Sequence, residues 1–330
     1  MYAAGRHDGG AHGVSTANAM SSPAESFEPY RRRLLGLAYR MLGSMADAED
    51  AVQETYLRWH AVDRDNVSNP RAFLMTTTTR ICLDMLTSAR ARHEEYVGPW
   101  LPEPVFDTAA LAPDRRTELA EDLSIALLLT LDRLSPLERA AFLMHDVFDF
   151  SFAEVATTLE RSEAACRKLA TRARANVRAL RPRGATAPPG RSGEIDAKHA
   201  QLLSAFAAAT QAGDLNRLTR MLASDVHVVT DGGGKVRAAL NAIDGADRVA
   251  QFLVDATRKR PDAWWREDFR LRFATVNGLP GVIVDGPEGP VQTTAFEIEG
   301  DVIRALYVVR NPDKLRHLAV RPPPDESGRG

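Results

Sequence analysis

The densest run of one charge sign lies between Ser162 and Arg181. Arg167, Lys168, Arg172, Arg174, Arg178 and Arg181 face a single acid, Glu163, across one helical span. Leu169, Ala173 and Val177 recur at i, i+4 and i+8 and would form an inward stripe. Cations on the remaining faces suit phosphates and base edges of DNA, although charge runs also occur on ordinary solvated helices. The opposite sign gathers at Asp47, Glu49, Asp50 and Glu54. A helix start favours anions in any case. Here Asp47, Asp50 and Glu54 also share one face at i, i+3 and i+7, with Gln53 beside them, and that face could dock on a basic partner helix. Tyr56 and Trp59 follow. They are either core aromatics or, exposed next to a basic helix, platforms on which unpaired bases stack.

A second set of candidates lies further on. Asp225 and His227 alternate on a strand and could form an acid/base pair, but same-face Asp and His are common on surface strands and no third group accompanies them. We therefore expect no catalytic centre and no cofactor. Cys82 and Cys166 are far apart without a partner at ligand spacing, which argues against a disulfide framework and a zinc site and fits a reducing cytoplasm. The run Asp231-Gly232-Gly233-Gly234-Lys235 is either a hairpin turn or a loop whose backbone approaches a partner closely. It lacks the following helix that a phosphate loop needs.

Elements to position these residues can be read from pattern and punctuation. The formal net charge is −2, so basic residues must be concentrated locally if the chain binds nucleic acid. Hydrophobic residues make up 44% and charged residues 26%, globular values, and 330 residues suggest about two or three domains. No segment approaches the ~20 apolar residues of a membrane span. Residues 1–23 read as a loose tail. A helical domain follows over 24–96, with Gly43 as a stop, helices over 47–60 and from Arg71, and Pro70 placed after the cap Asn69. A proline-rich linker, 97–117, leads to a second helical domain, 118–182. There Ser151 and Glu154 spell a capping box, a short helix ends near Leu159, and Ser162 caps a longer one: helix-turn-helix spacing. A linker, 183–193, precedes a third domain, 194–316, in which two helices are followed by short β-branched runs, taken as antiparallel strands of an α+β fold. Residues 317–330 read as a second tail.

Several stretches resemble a known family. Ala38-Tyr39-Arg40-Met41-Leu42-Gly43, Asp47 through Glu54, and Asn69-Pro70-Arg71-Ala72-Phe73-Leu74 resemble the second region of extracytoplasmic-function sigma factors of the sigma-70 family. Leu134 through Arg139, Phe152 through Ala156 and Ser162 through Leu169 resemble the fourth region. Trp100-Leu101-Pro102-Glu103-Pro104, Asp231 through Lys235 and Asn311-Pro312-Asp313-Lys314-Leu315 resemble the marks of a subgroup with a C-terminal SnoaL-like domain, a cone of curved sheet and helices. The resemblance implies a cytoplasmic transcription initiation factor with two all-α domains, the second a helix-turn-helix, and an α+β regulatory domain. Asp47, Asp50, Gln53 and Glu54 would bind the β′ clamp helices of core RNA polymerase. Trp59, Asn69, Arg71 and Arg80 would serve the minus-ten promoter element. Ser162, Glu163, Arg167, Lys168 and Arg172 would serve the minus-thirty-five element. Trp100–Pro104, Asp231–Lys235 and Asn311–Lys314 would form an interdomain regulatory contact. Trp264, Trp265 and Phe269 could line a pocket for an unidentified small molecule, or fill the core.

Overall fold

The computed structural model describes residues 22–94, 96–106, 111, 123–180, 197–259 and 268–318. Arg181, Trp264, Trp265, most of both proposed tails and the linker 183–193 lie outside the described residues. Helix α1 (Pro23–Leu42) starts at the last residue of the expected tail, one residue before the expected domain boundary. Ser22 accepts from Glu25 N while the Glu25 side chain accepts from Ser22 N, a reciprocal cap. Gly43 ends it with φ +69°. Helix α2 (Met45–Ala61) is capped by Ser44, and α3 (Pro70–Glu94) opens with Asn69 Oδ1 accepting from Ala72 N at 3.0 Å. The middle of α3 carries Thr77, Thr78 and Thr79, buried residues whose hydroxyls would be costly without partners. Each donates to a carbonyl four residues back.

Helices α4 (Ile125–Asp132) and α5 (Pro136–Phe142) lead through a π-type turn, Leu143–Val147, to the pair α6 (Phe152–Leu159) and α7 (Glu163–Leu180). Glu160, at φ +54°, makes the turn between them. The inward stripe of α7 is Cys166, Ala170, Ala173 and Val177, with Leu169 at its margin; the expected stripe was one residue out of phase at its start. Both helical blocks share one continuous apolar core, from Phe27, Leu34 and Trp59 to Phe142, Leu159 and Val177.

The third block contains α8 (Ala197–Ala212), α9 (Leu215–Met221) and α10 (Ala246–Arg258). They cover one six-stranded sheet: β1 (Leu222–Asp231), β2 (Ile243–Asp244), β3 (Arg270–Val276), β4 (Leu279–Gly286), β5 (Gly289–Glu299) and β6 (Val302–Val309), in the order β2-β1-β6-β5-β4-β3. β3 to β6 form an antiparallel meander. The sheet is not wholly antiparallel as expected, because the meander returns its last strand beside the first and β1 pairs parallel with β6. A short helix α11 (Pro312–Leu315) and a 3-10 turn, Arg316–Leu318, extend ordered structure past the expected start of the second tail.

The two faces of the sheet bury different partners. Val226, Val228, Phe296, Leu306 and Val308 face the helices α8–α10. Ile283, Ala295, Ala305, Tyr307 and Val309 pack with Leu101 and Phe106 of the extended segment Tyr96–Phe106 and with Ile125 and Leu129 of α4. The sheet therefore stands between its own helices and the helical half of the molecule.

Gly43 is where these layers touch. A Cβ there would lie 2.3 Å from the Trp100 ring, in a backbone conformation that side chains resist. Gly43→Ala should cost about 1–3 kcal/mol of stability and lower the thermal unfolding midpoint; a midpoint equal to that of the unaltered protein would contradict this packing.

Candidate nucleic-acid surfaces and an interdomain clamp

The acidic face of α2 is accessible. Asp50 and Gln53 are exposed, Asp47 is half-buried, and Glu54 pairs with Arg58 at 2.9 Å. Leu57 continues the Asp50–Gln53 row by one helical turn and is 53% exposed. It is a large apolar side chain at the end of an acidic stripe, and charge pattern alone did not single it out.

The α6–α7 pair presents a basic surface. Ser162 Oγ accepts from Ala165 N at 3.2 Å, and Glu163 pairs with Arg167 at 2.6 Å. Arg167 also stacks over Phe152, at 5.2 Å to the ring centre, which fixes its direction. Lys168, Arg172 and Arg178 are exposed. Arg174 differs: it donates to Asp146 at 2.7 Å and is half-buried, so it ties α7 to the preceding turn.

Three residues expected at the first DNA surface are engaged elsewhere. Trp59 is 1% exposed, packs against Phe73, and donates its ring N–H to Ser26 Oγ at 3.1 Å. It is a core residue in this arrangement, because the hydrophobic face of α2 rotates it inward, and it offers no platform to a base. Arg71 donates to Phe148 O at 2.7 Å and lies over the Phe150 ring. Arg80 donates to Thr158 O and Thr157 O, both at 3.0 Å, and pairs with Glu160. Thr76 and Thr158 hydroxyls meet at 2.8 Å between Arg71 and Arg80. One face of α3 is thus closed against the first helix of the helix-turn-helix. Asn69 remains exposed as a cap.

The segment Tyr96–Phe106 is gripped from two sides. On one, Asp231 is fully buried. Its Oδ1 accepts from Tyr96 Oη at 2.5 Å and Gly233 N at 3.0 Å; its Oδ2 accepts from Leu101 N at 2.9 Å and Lys314 Nζ at 2.7 Å. Lys314, also buried, donates to Leu101 O at 2.5 Å and sits 4.2 Å from the centre of the Trp100 ring. Burial pulls its ammonium below the usual lysine range, while Asp231 opposes that shift. Asn311 donates to Tyr96 Oη at 2.9 Å, and its backbone N–H and that of Arg310 both donate to Asp231 O. Gly233 lies so close to Asn311 that a Cβ would come within 2.2 Å of its amide. Lys235 and Asp313 form an ion pair at the rim, Gly232 accepts from Lys235 N, and Gly234 abuts Val97. Pro312 begins α11, which places Asp313 and Lys314.

On the other side, Glu103 holds the first helical block. Its backbone N–H donates to Gly43 O at 2.9 Å, its carboxylate accepts from Met45 N at 2.7 Å, and its carbonyl accepts from Tyr39 Oη at 2.6 Å. Asn277 Nδ2 donates to the same Tyr39 oxygen, and Asn277 bonds Val105 through both its side chain and its backbone. Pro104 O contacts His317 Nε2 at 2.8 Å. Burial, with Glu103 nearby, pushes the Tyr39 hydroxyl well above the usual range, so it remains a donor. Tyr39, Tyr96, Asn277 and His317 were not singled out from sequence. Their signal was only that of isolated polar residues near breaks in the pattern.

Asp225 is committed to Arg304 at 2.7 Å, and His227 packs edge-on to Tyr307. Among the described residues no cluster of three metal-ligating side chains occurs, and no helix is long and apolar enough to cross a membrane.

The model of Sigma-70 region 2 matches residues 27–92 and that of Sigma-70, region 4 matches residues 124–177. The chain is 39% identical over 300 residues to the ECF RNA polymerase sigma factor SigJ of Mycobacterium tuberculosis, covering 88% of this chain and 92% of that one. It is 35% identical over 308 residues to the ECF RNA polymerase sigma factor SigG of the same organism, with 86% and 79% covered. The crystal structure of the M. tuberculosis SigJ protein superposes with a TM-score of 0.66 at 36% identity, over 87% of this chain and 96% of that one.

Removing the Asp231 carboxylate would strand a buried ammonium and free Leu101 N. Asp231→Ala should therefore speed cleavage by a limiting protease between Trp100 and Phe106 by about tenfold or more through local opening. An unchanged cleavage rate would mean that the segment is held without this carboxylate.

Proposed function

The chain belongs to the extracytoplasmic-function sigma factors of RNA polymerase, which direct promoter-specific transcription initiation, and on that premise we propose that this structure is its closed, promoter-silent state, held by the C-terminal domain in cis. The observation that carries the proposal is the engagement of one α3 face, Arg71, Thr76 and Arg80, by hydrogen bonds to Phe148, Thr157 and Thr158.

A promoter-bound factor must present two surfaces at once. The minus-ten element would be melted and held by the loop before Asn69 and by α3, with Asn69, Arg71 and Arg80 as its polar contacts. The minus-thirty-five element would take the N-terminal half of α7 in its major groove. Ser162 and Glu163 shape that helix start. Arg167, Lys168 and Arg172 supply cations to phosphates and bases. The two elements lie far apart on DNA, whereas here the α3 face is held against α6, the helix next to α7. Opening α3 from α6 both frees Arg71 and Arg80 and separates the two readers. The α2 face, Asp47, Asp50, Gln53 and Glu54 with Leu57 at its end, already faces outward and would dock on the β′ clamp helices before or during opening.

The C-terminal domain suits the role of holder. Its outer sheet face and α11 grip the segment that joins the two helical blocks, through Asp231, Lys314, Asn311 and Asn277. The same face covers Leu101 and Ile125, so removing the whole domain would expose an apolar surface as well as release the grip. Point changes at the clamp separate these effects.

Two outcomes test the proposal. Tyr96→Phe combined with Lys314→Met should raise run-off transcription with core polymerase several-fold, since about 1–3 kcal/mol of clamp energy is lost; unaltered or reduced output from a folded variant would contradict closure in cis. Asp50→Lys with Gln53→Lys should weaken capture of the core enzyme by about tenfold or more, on the scale of disrupted charge complementarity. Equal affinity would remove α2 as the docking face.

A further inference from the structure

The inner face of the sheet and helices α8 and α10 enclose a cavity of about 650 Å³. That volume lies within the range of small-molecule sites, and packed interiors rarely leave such space empty of purpose. Its walls are apolar, with Phe206, Phe252, Val282, Phe296 and Leu306 among them. Phe206 and Phe296 meet edge to face at 5.5 Å, which presents aromatic surface to an occupant. Polar groups gather at one end: Thr230, Thr294 and Gln292, with Arg237 and Arg310. Gln292 donates to Thr294 Oγ1 at 3.0 Å. Three cationic side chains, Arg237, Lys259 and Arg310, line the cavity against one acid, Asp255, which lies near Lys259. An apolar cavity with a cationic polar end matches a ligand of the same asymmetry.

We propose that this cavity binds one small ring-bearing organic acid, its apolar skeleton against Phe206 and Phe296 and its anionic head toward Arg310. The consequence of binding rests on the clamp reading above. Arg310 donates its side chain to Arg237 O and its backbone N–H to Asp231 O, and Thr230 bonds Ala239 through both N and O. The cavity's polar end is therefore built from residues adjacent in sequence to Asp231 and Asn311. An anion that draws Arg310 inward competes with the loop Val236–Ala239 and shifts the strand ends from which the clamp hangs.

The full chain titrated with anilinonaphthalene sulfonate, an apolar ring system with one anionic head, should bind one molecule. Phenylnaphthylamine, the same skeleton without the sulfonate, reports the apolar part alone. Ala207 and Ala256 line the cavity on its helical wall and are only half-buried, so Ala207→Trp and Ala256→Trp fill the space without rebuilding the core. Each should weaken both probes about tenfold or more, and Arg310→Gln should weaken the sulfonate alone by about tenfold, the scale of one charge-assisted hydrogen bond. Undiminished binding in both filled variants would overturn the cavity as the site. Equal effects of Arg310→Gln on the two probes would overturn the anionic class. Saturating sulfonate should also change the rate of cleavage between Trp100 and Phe106 at least twofold, and leave it unchanged in Ala256→Trp. No change in the unaltered chain would overturn the coupling, whereas cleavage indifferent to Asp231→Ala would instead overturn the clamp.

Discussion

A buried carboxylate with four donors organises this molecule. Asp231 sits at the end of the strand that joins the sheet to its parallel neighbour, and its oxygens accept from Tyr96, Gly233, Leu101 and Lys314. A charge placed there without partners would cost several kcal/mol. Lys314 neutralises it, and the ammonium also donates to Leu101 O and lies against the faces of Trp100 and Tyr96. Every one of those partners except Gly233 and Lys314 comes from the segment between the helical blocks. Satisfying the charge and fixing the segment are one event, which makes the grip specific and also gives it an all-or-none character.

Around that node the sheet acts as a partition. Its outer face continues the apolar contact begun by Leu101, and Asn277 on the turn between β3 and β4 reaches Tyr39 in α1 and Val105. The same strands carry, on their inner face, the side chains that wall the cavity. One layer of backbone separates the cavity from the surface that grips the segment between the two helical blocks. Beyond it, the helical blocks close on each other through Arg139, whose guanidinium is buried and bridges Met41 O to Asp132, and through the polar seam of Arg71, Thr76 and Arg80. Most of these polar contacts are hydrogen bonds to backbone carbonyls, each of modest net value, and they flank the apolar core that the two blocks share. A closed state assembled this way can be opened by a partner that binds the open form more tightly.

Local elements were legible in the sequence where the chain punctuates itself. Ser151 with Glu154, Asn69 with Pro70, and Gly43 each appear in the structure at the helix end their chemistry dictates. The four strands of the meander followed from β-branched runs. What pattern could not reveal was adjacency. The parallel pairing of β1 with β6 depends on the return of the meander, and the one-residue phase shift on α7 depends on which neighbour it packs against. Trp59 shows the limit most directly: its type and place beside a basic helix fit either base stacking or the core, and only the direction of α2 against Ser26 and Phe73 decides for the core. Tyr96 and Asn277 gave no signal because each is a lone polar residue whose hydrogen-bond partners lie 135 or more positions away.

The central claim is that promoter use requires α3 to part from α6. The hydroxyls of Thr76 and Thr158 lie 2.8 Å apart across that seam, close enough for a disulfide between cysteines at the two positions, and the two native cysteines are buried. The measurement is run-off transcription by core polymerase with Thr76→Cys/Thr158→Cys protein, oxidised and then reduced. Closure in cis predicts no promoter-specific transcript from the oxidised form and recovery on reduction. Full activity of the cross-linked protein would contradict it.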